Sequence, residues 1–270
     1  MIDFTRLEEE VRRQRPLVHC VSNLVSANDC ANLALAVGAS PMMAQAPQEM
    51  ADITAISDAT VLNTGTPDAA KFDACRVCGR EAAALGRPVV LDPVGVGASP
   101  WRLENIRRLL AEGSPAMVRV NLGEAQALLR LRSQEQGVDS PAAAARAERL
   151  RCAAALARDL HTVALLSGPE DIVTDGAAAW CCTGGSGRMA QVTGTGCMLS
   201  VLCGVFAAVE PEPREAALLA AAFWKVCSRR ADRAAGEKGS GSFRAALLDA
   251  AGALTAADLE REAELFPLSL

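Results

Sequence analysis

Apolar and helical segments alternate along this chain with a regularity that leaves few folds open. Six short apolar runs, LVHCV (17–21), SPMM (40–43), ATVLN (59–63), PVVLD (88–92), AMVRV (116–120) and TVALLS (162–167), read as strands. Between and after them lie stretches with helical spacing at about 26–37, 47–56, 67–85, 101–112, 122–131 and 141–159. Strands alternating with helices of this length build βαβ units, so the sequence predicts an α/β fold whose mostly parallel sheet is covered by helices on both faces. After residue 167 the rhythm changes: EDIVTDG (170–176) and AAAWCCTGG (177–185) read as short antiparallel strands joined at Asp175-Gly176, a hairpin signal. Three helices, at about 195–209, 213–235 and 242–254, then close the chain. No compositional break or internal repeat divides it, so one domain over residues 1–270 is expected, with the polar segment RSQEQGVDSP (132–141) as a loop.

Half of the 270 residues are apolar, enough to bury a substantial core. A formal net charge of −5 argues against nucleic acid or an acidic membrane as partner, since both require a basic face. The densest basic cluster, KVCSRRADR (225–233), lies in a helical pattern and reads as a solvated face. The amino-terminal MIDFTRLEEEVRRQRP is charged and amphipathic, and the longest apolar runs are too interrupted to span a bilayer, so a soluble cytoplasmic protein is expected. Ten cysteines scattered through apolar contexts read as reduced thiols packed as small hydrophobes. Cys75 and Cys78 form a lone CxxC in a helical stretch, without the second pair a metal site would need, and two histidines are too few for a histidine-rich one.

In open α/β sheets, ligands bind beyond the carboxyl ends of the strands. Five such ends carry polar or glycine-rich sequence: Ser22-Asn23, TGT (64–66), DPVGVGASP (92–100), NLGE (121–124) and Ser167-Gly168. Any one could be a routine turn; five on one edge point to a site. In TGTGCMLSVLCGVFAAV (193–209), Met198, Val201, Leu202, Val205, Phe206 and Val209 recur at three- and four-residue spacing, so a buried helix begins near Thr195. The unpaired N–H groups of its first turn carry the positive end of the helix dipole, and Gly194 and Gly196 allow close backbone approach. Together they make an anion site suited to phosphate, with a plain helix start as the alternative. The pattern is neither GxxxxGK[ST] nor GxGxxG.

Cys197 falls in that first turn. A free thiol is only about 3% thiolate at pH 7, and a helix N-terminus lowers its pKa. Cys197 would then accept a proton from a substrate hydroxyl or orient that hydroxyl; the structural alternative is a small helix residue. Asp92 closes a buried strand at the same edge, where a carboxylate facing phosphate would hold Mg²⁺ through water. Glu124 is either a second carboxylate for that ion or an ordinary acid in a helix's first turn.

Five stretches in order, PLVHCVSN (16–23), GASPMMAQAPQEM (38–50), GRPVVLDPVGVGASPWR (86–102), VTGTGC (192–197) and GSGSF (239–243), resemble the hydroxyethylthiazole kinase family of the ribokinase-like superfamily. The match runs from about residue 16 to 254. The resemblance implies a three-layer α/β/α fold with a central, mostly parallel sheet. It implies an enzyme that transfers the γ-phosphate of ATP to the primary hydroxyl of 4-methyl-5-(2-hydroxyethyl)thiazole, using Mg²⁺, in thiamine salvage. By motif position, Met43 and Gly194 would bind the thiazole with Asn23 in the same pocket, and Arg119, Ser167, Asn121 and Gly196 would bind ATP. Glu124 and Asp92 would serve the metal, and Cys197 and Asp92 the chemistry, where superfamily relatives usually carry a catalytic aspartate in place of the cysteine. The family is typically a homotrimer with active sites between subunits, which would put Asn23 and Met43 at an interface. A ribokinase-like kinase of another hydroxymethyl heterocycle and a non-catalytic ligand-binding paralogue are the alternatives.

The chain departs from the family pattern at two places near the expected site. The family usually reads HN(I/V)TN where this chain has HCVSN (19–23), and RGNxxE where it has RVNLGE (119–124). Val120 in place of glycine is expected to add bulk and stiffness beside the ATP site. Ser167 stands where the family more often has threonine.

Overall fold

The computed structural model describes residues 3–130 and 142–270; the expected loop at 132–141 lies outside the described residues. The first half of the chain forms α1 (Phe4–Gln14), β1 (Leu17–Val21), α2 (Ala27–Ala36), β2 (Ser40–Met42), α3 (Met50–Ile56), β3 (Ala59–Asn63), α4 (Ala69–Leu85), β4 (Val89–Asp92), α5 (Pro100–Glu112), β5 (Met117–Val120) and α6 (Leu122–Arg130). The second half forms α7 (Ala142–Leu160), β6 (Val163–Leu166), β7 (Asp171–Thr174), β8 (Ala179–Thr183), α8 (Thr195–Ala207), α9 (Pro213–Ala235), α10 (Ser240–Ala253), α11 (Ala256–Glu262) and β9 (Glu264–Leu268).

The strands make one sheet in the order β2-β1-β3-β4-β5-β6-β7-β8-β9, parallel through β6 and antiparallel from β7 to β9. Parallel strands buried on both faces need continuous apolar sequence, and β3 and β4 are buried at every position. One core lies between the sheet and α1, α2 and α8–α11; the other lies between the opposite face and α3–α7. Helix α8 is buried at every residue from Cys197 to Ala207, as expected of a helix that is apolar all round. It is pressed between α2 and α9 on one side and β1, β3 and β4 on the other. After β1 the chain moves outward to β2, then returns past β1 to β3. This reversal opens a crevice at the carboxyl ends of β1 and β3, where doubly wound sheets take their ligands.

Four local features add to or change these expectations. The amphipathic amino-terminal segment is a helix, capped by Asp3 and burying Phe4, Leu7 and Val11. The β7–β8 hairpin uses a four-residue loop, 175–178, because Thr174 pairs with Ala179 and the Asp175 carboxylate accepts from the N–H groups of Ala177 and Ala178. The basic cluster at 225–233 is not a solvated face. Lys225 pairs with Asp171 at 3.1 Å, while Arg229 and Arg230 meet Glu262, Glu264 and Asp258 of α11 and β9. Those acids lie some thirty residues further on, beyond the reach of a local pattern. Strand β9 itself has a mostly exposed pattern and contains Pro267, which only an edge strand tolerates. Among the described residues, no helix is long and apolar enough to cross a membrane.

Candidate active site

Asp92 is the centre of the carboxyl edge. It ends β4, is fully buried, and accepts from three elements: Asn63 Nδ2 at the end of β3 (2.8 Å), Ser200 Oγ in α8 (2.7 Å) and Arg119 Nη1 in β5 (3.2 Å). Buried carboxyl oxygens without such partners would be left with unsatisfied hydrogen-bonding capacity, which is costly in the interior. Arg119 continues to Ser167 Oγ, just beyond β6, at 2.8 Å. Burial alone would lower the Arg119 pKa, but the charges of Asp92 and Glu124 outweigh it and raise the pKa. Its Nε is buried without a partner. A Cβ on Gly196 would overlap Arg119 Nη2, so only glycine lets the guanidinium rest against the first turn of α8.

Helix α8 starts from Gly194 at φ +87°, a left-handed conformation that favours glycine, and has no side-chain cap. A Cβ on Gly194 would fall 2.7 Å from Cβ of Ser26. Both glycines are therefore required by close approach of protein groups, in addition to any ligand. Cys197 is buried, with Asn23 Nδ2 4.0 Å from its Sγ. Contrary to the expectation from its helix position, its pKa is raised. Burial pushes it up, the charge of Asp92 adds to this, and Ser26, Asn63 and Arg119 offset only part.

Glu124 and Asn121 form a reciprocal cap at the start of α6. Glu124 Oε2 accepts from the Asn121 N–H and Asn121 Oδ1 from the Glu124 N–H, each at 2.9 Å. The other Glu124 oxygen accepts from the Gly95 N–H at 2.9 Å, fixing the loop after β4. Burial and the Asp92 charge raise the Glu124 pKa, which marks a place where added positive charge is favourable. Each Glu124 oxygen retains acceptor capacity. Among the described residues no group of three or more His, Cys, Asp or Glu could cage a metal. This donor set fits Mg²⁺, which keeps its waters and takes one or two carboxylates plus substrate phosphates.

Arg119, Ser167 and Gly196 line a cavity of about 410 Å³ that extends to Trp224 and Lys225 of α9. That volume lies within the range of small-molecule sites. Cys197 and Asn23 stand at the switch-point crevice beside it. Met43 lies just past the end of β2, which stops at Met42 where the sequence suggests a strand through 43, and is half buried against the α8-side core.

A sequence model of the hydroxyethylthiazole kinase family matches residues 8–257. The chain belongs to the hydroxyethylthiazole kinase family. It is 42% identical over 250 residues to the hydroxyethylthiazole kinase of Listeria monocytogenes, covering 93% of this chain and 92% of that one. It is 40% identical over 255 residues to the enzyme of Methanoculleus marisnigri, covering 94% and 90%. The solved structure of the hydroxyethylthiazole kinase protein from Pyrococcus horikoshii OT3 superposes with a TM-score of 0.90 at 32% identity, covering 98% of this chain and 99% of that one. The pyridoxal kinase of Staphylococcus aureus, solved with AMP-PCP and pyridoxal, superposes at 0.62 with 15% identity over 93% and 98% of the two chains, which shows the shared ribokinase-like fold. As a member of the hydroxyethylthiazole kinase family the protein is a kinase, with ATP as co-substrate and a place in thiamine salvage.

Both departures from the family pattern are absorbed by the interior. Val120 follows Arg119 in β5, so its side chain faces the α3–α7 core, away from Arg119. Cys20 is buried in the α8-side core, its thiol pushed up to about 12 by burial.

Several site residues gave little sign in the sequence. Asn63 and Ser200 hold Asp92, and their only signal was a polar residue ending a strand or interrupting an apolar helix. Lys71 is buried in α4 and donates to the carbonyls of Ser22 (2.5 Å) and Gly65 (2.8 Å), tying together the loops after β1 and β3. Arg102 binds the loop after β4 through the Val94 carbonyl at 3.0 Å.

Proposed function

We propose that the crevice at the ends of β1 and β3 and the cavity beside Arg119 are the two halves of one phosphotransfer site, within a single ribokinase-like domain of residues 1–270. In the family's reaction the bond between the γ-phosphorus of ATP and its bridging oxygen breaks. The primary hydroxyl oxygen of 4-methyl-5-(2-hydroxyethyl)thiazole bonds to that phosphorus and loses its proton. Phosphoryl transfer of this kind asks chiefly for positioning and charge neutralisation. Arg119, with Ser167, Asn121 and Gly196, would bind ATP; Asn23, Met43 and Gly194 would bind the thiazole. Asp92 and Glu124 would hold Mg²⁺, which when bound supplies neutralising charge to the phosphates.

The observation that carries this reading is the juxtaposition of three features at one sheet edge. The Asp92–Arg119 pair and the uncapped start of α8 meet there, with the thiol of Cys197 between them and Asn23. Unpaired N–H groups, a guanidinium and a helix dipole together favour a transferring phosphoryl group. Because Cys197 is held in its neutral form, its proposed role is to orient the hydroxyl by hydrogen bonding. The homotrimer typical of the family would complete the thiazole pocket, a reading supported by the exposed Leu24 and Val25 beside Asn23.

The test is ADP release from Mg-ATP by purified protein, with hydroxyethylthiazole and a hydroxymethylpyrimidine as parallel alcohols. Thiazole-dependent release, with a product heavier by one phosphoryl group, is expected. Release with the pyrimidine alone would reassign the substrate, and release with neither from protein that binds ATP would leave a non-catalytic paralogue.

A further inference from the structure

We propose that Ser26 is a further substrate-binding residue, its hydroxyl pairing with the acceptor alcohol at the start of α8. Ser26 occupies the N-cap position of α2, where a serine normally turns its oxygen onto the N–H groups of the first turn. Here φ is −119° and ψ is 0°, outside the extended conformation that capping uses, and no such bond forms. The residue is 1% exposed, and its Oγ has no oxygen or nitrogen partner, only thiols beside it. A buried hydroxyl without a partner carries a desolvation cost, so this one calls for an explanation.

Its surroundings supply one. Ser26 packs directly on Gly194, the residue that opens α8, and its polar neighbours are the thiols of Cys197 and Cys30, both weak partners. Gly194 opens the first turn of α8, whose N–H groups no side chain caps. An unpaired hydroxyl packed beside an uncapped helix start describes a site completed by a ligand bearing a polar oxygen. The alcohol of a small heterocycle fits beside Ser26, and a phosphoryl group fits at the helix start. The assignment rests on the phosphotransfer reading for the identity of that alcohol.

The experiment compares hydroxyethylthiazole with its deoxy analogue, 5-ethyl-4-methylthiazole, by calorimetric binding to wild-type protein and to Ser26→Ala, alongside turnover. In wild type the alcohol should bind more tightly than the analogue. In Ser26→Ala that preference should fall about fivefold, the size of one hydrogen bond. Affinity for the analogue, KM for ATP and the ligand-free Tm should stay unchanged, or the Tm should rise because an unpaired hydroxyl has been removed. An unchanged preference overturns the assignment. So does an equal loss of affinity for both compounds with a lower Tm, the mark of a purely structural serine. Wild-type protein that binds the alcohol without consuming ATP would overturn the phosphotransfer reading, while the binding ratio would still decide the role of Ser26.

Discussion

The thiol of Cys197 sits where two influences compete, and burial prevails over the helix terminus. Its pKa is raised from that of an ordinary thiol by burial and by the charge of Asp92, so it remains protonated through neutral and mildly alkaline pH. Cys197→Ala should therefore slow turnover by no more than about 10²-fold, the low end for a positioned acid–base group. The pH–rate profiles of wild type and variant between pH 6 and 8.5 should have the same shape. A wild-type limb that rises through this window and vanishes in the variant would mean that the thiolate acts. The contact between Gly196 and Arg119 makes a second residue-scale test. A Cβ at position 196 would drive the guanidinium off Asp92 and Ser167. Gly196→Ala should lower kcat/KM for ATP at least about tenfold and cost roughly 1–3 kcal/mol of stability, as overpacking does. Unchanged ATP kinetics would show that the guanidinium has no part in nucleotide use.

Elements distant from the chemistry hold its frame. Helix α9 carries Trp224, which donates to the Thr195 carbonyl at 3.1 Å and so fixes the start of α8, and then a seam of arginines that fastens α11 and β9. In that seam the hydrogen bond from Arg230 holds the Glu262 carboxyl down at about 2. A depressed carboxyl pKa contributes stability that is fully present above the unfolded value, near 4.3, and lost as pH falls toward the folded value. Backbone amides of β9 should thus stay protected from hydrogen exchange at pH 5 and lose protection between about pH 4 and 2. Loss already complete at pH 5, with β3 and β4 still protected, would show that the ion pairs do not secure the strand.

At the scale of the whole molecule, the strand order creates the crevice, and a core on each face of the sheet holds the strands that form it. Leu24 and Val25 lie beside Asn23 at the mouth and are 69% and 60% exposed, unusual for large apolar side chains at the rim of a polar site. A homotrimer that covers them is expected, with a sedimentation mass three times that of the 28.1 kDa chain. The double substitution Leu24→Asp, Val25→Asp should reduce that mass and thiazole turnover together. It should spare ATP binding, because the cavity beside Arg119 is lined from α8, α9 and the β6 end. A monomeric wild-type protein with full turnover would refute the assembly.

The alternation of strands and helices could be read directly, because apolar period and turn chemistry are properties of neighbouring residues. That alternation, with the rule that ligands lie beyond strand carboxyl ends, brought Asp92, Asn121 and Ser167 to one edge; Gly196 and Cys197 were marked by the glycine-rich helix start, and Arg119 only by the family resemblance. Glu124 in a helix's first turn was legible as well, but its reciprocal pairing with Asn121 emerged only in the structure. The state of those groups depended on partners far along the chain. Ser200 reaches Asp92 across 108 positions, and Asn23 reaches Cys197 across 174. Whether Cys197 is neutral, whether Lys71 is buried, whether the arginines of α9 are solvated and whether Ser26 lacks a partner are all matters of desolvation and pairing. Both are set by what packs around a side chain in three dimensions, so the sequence determined which residues share the edge, and only the tertiary structure decided their charge, partners and availability.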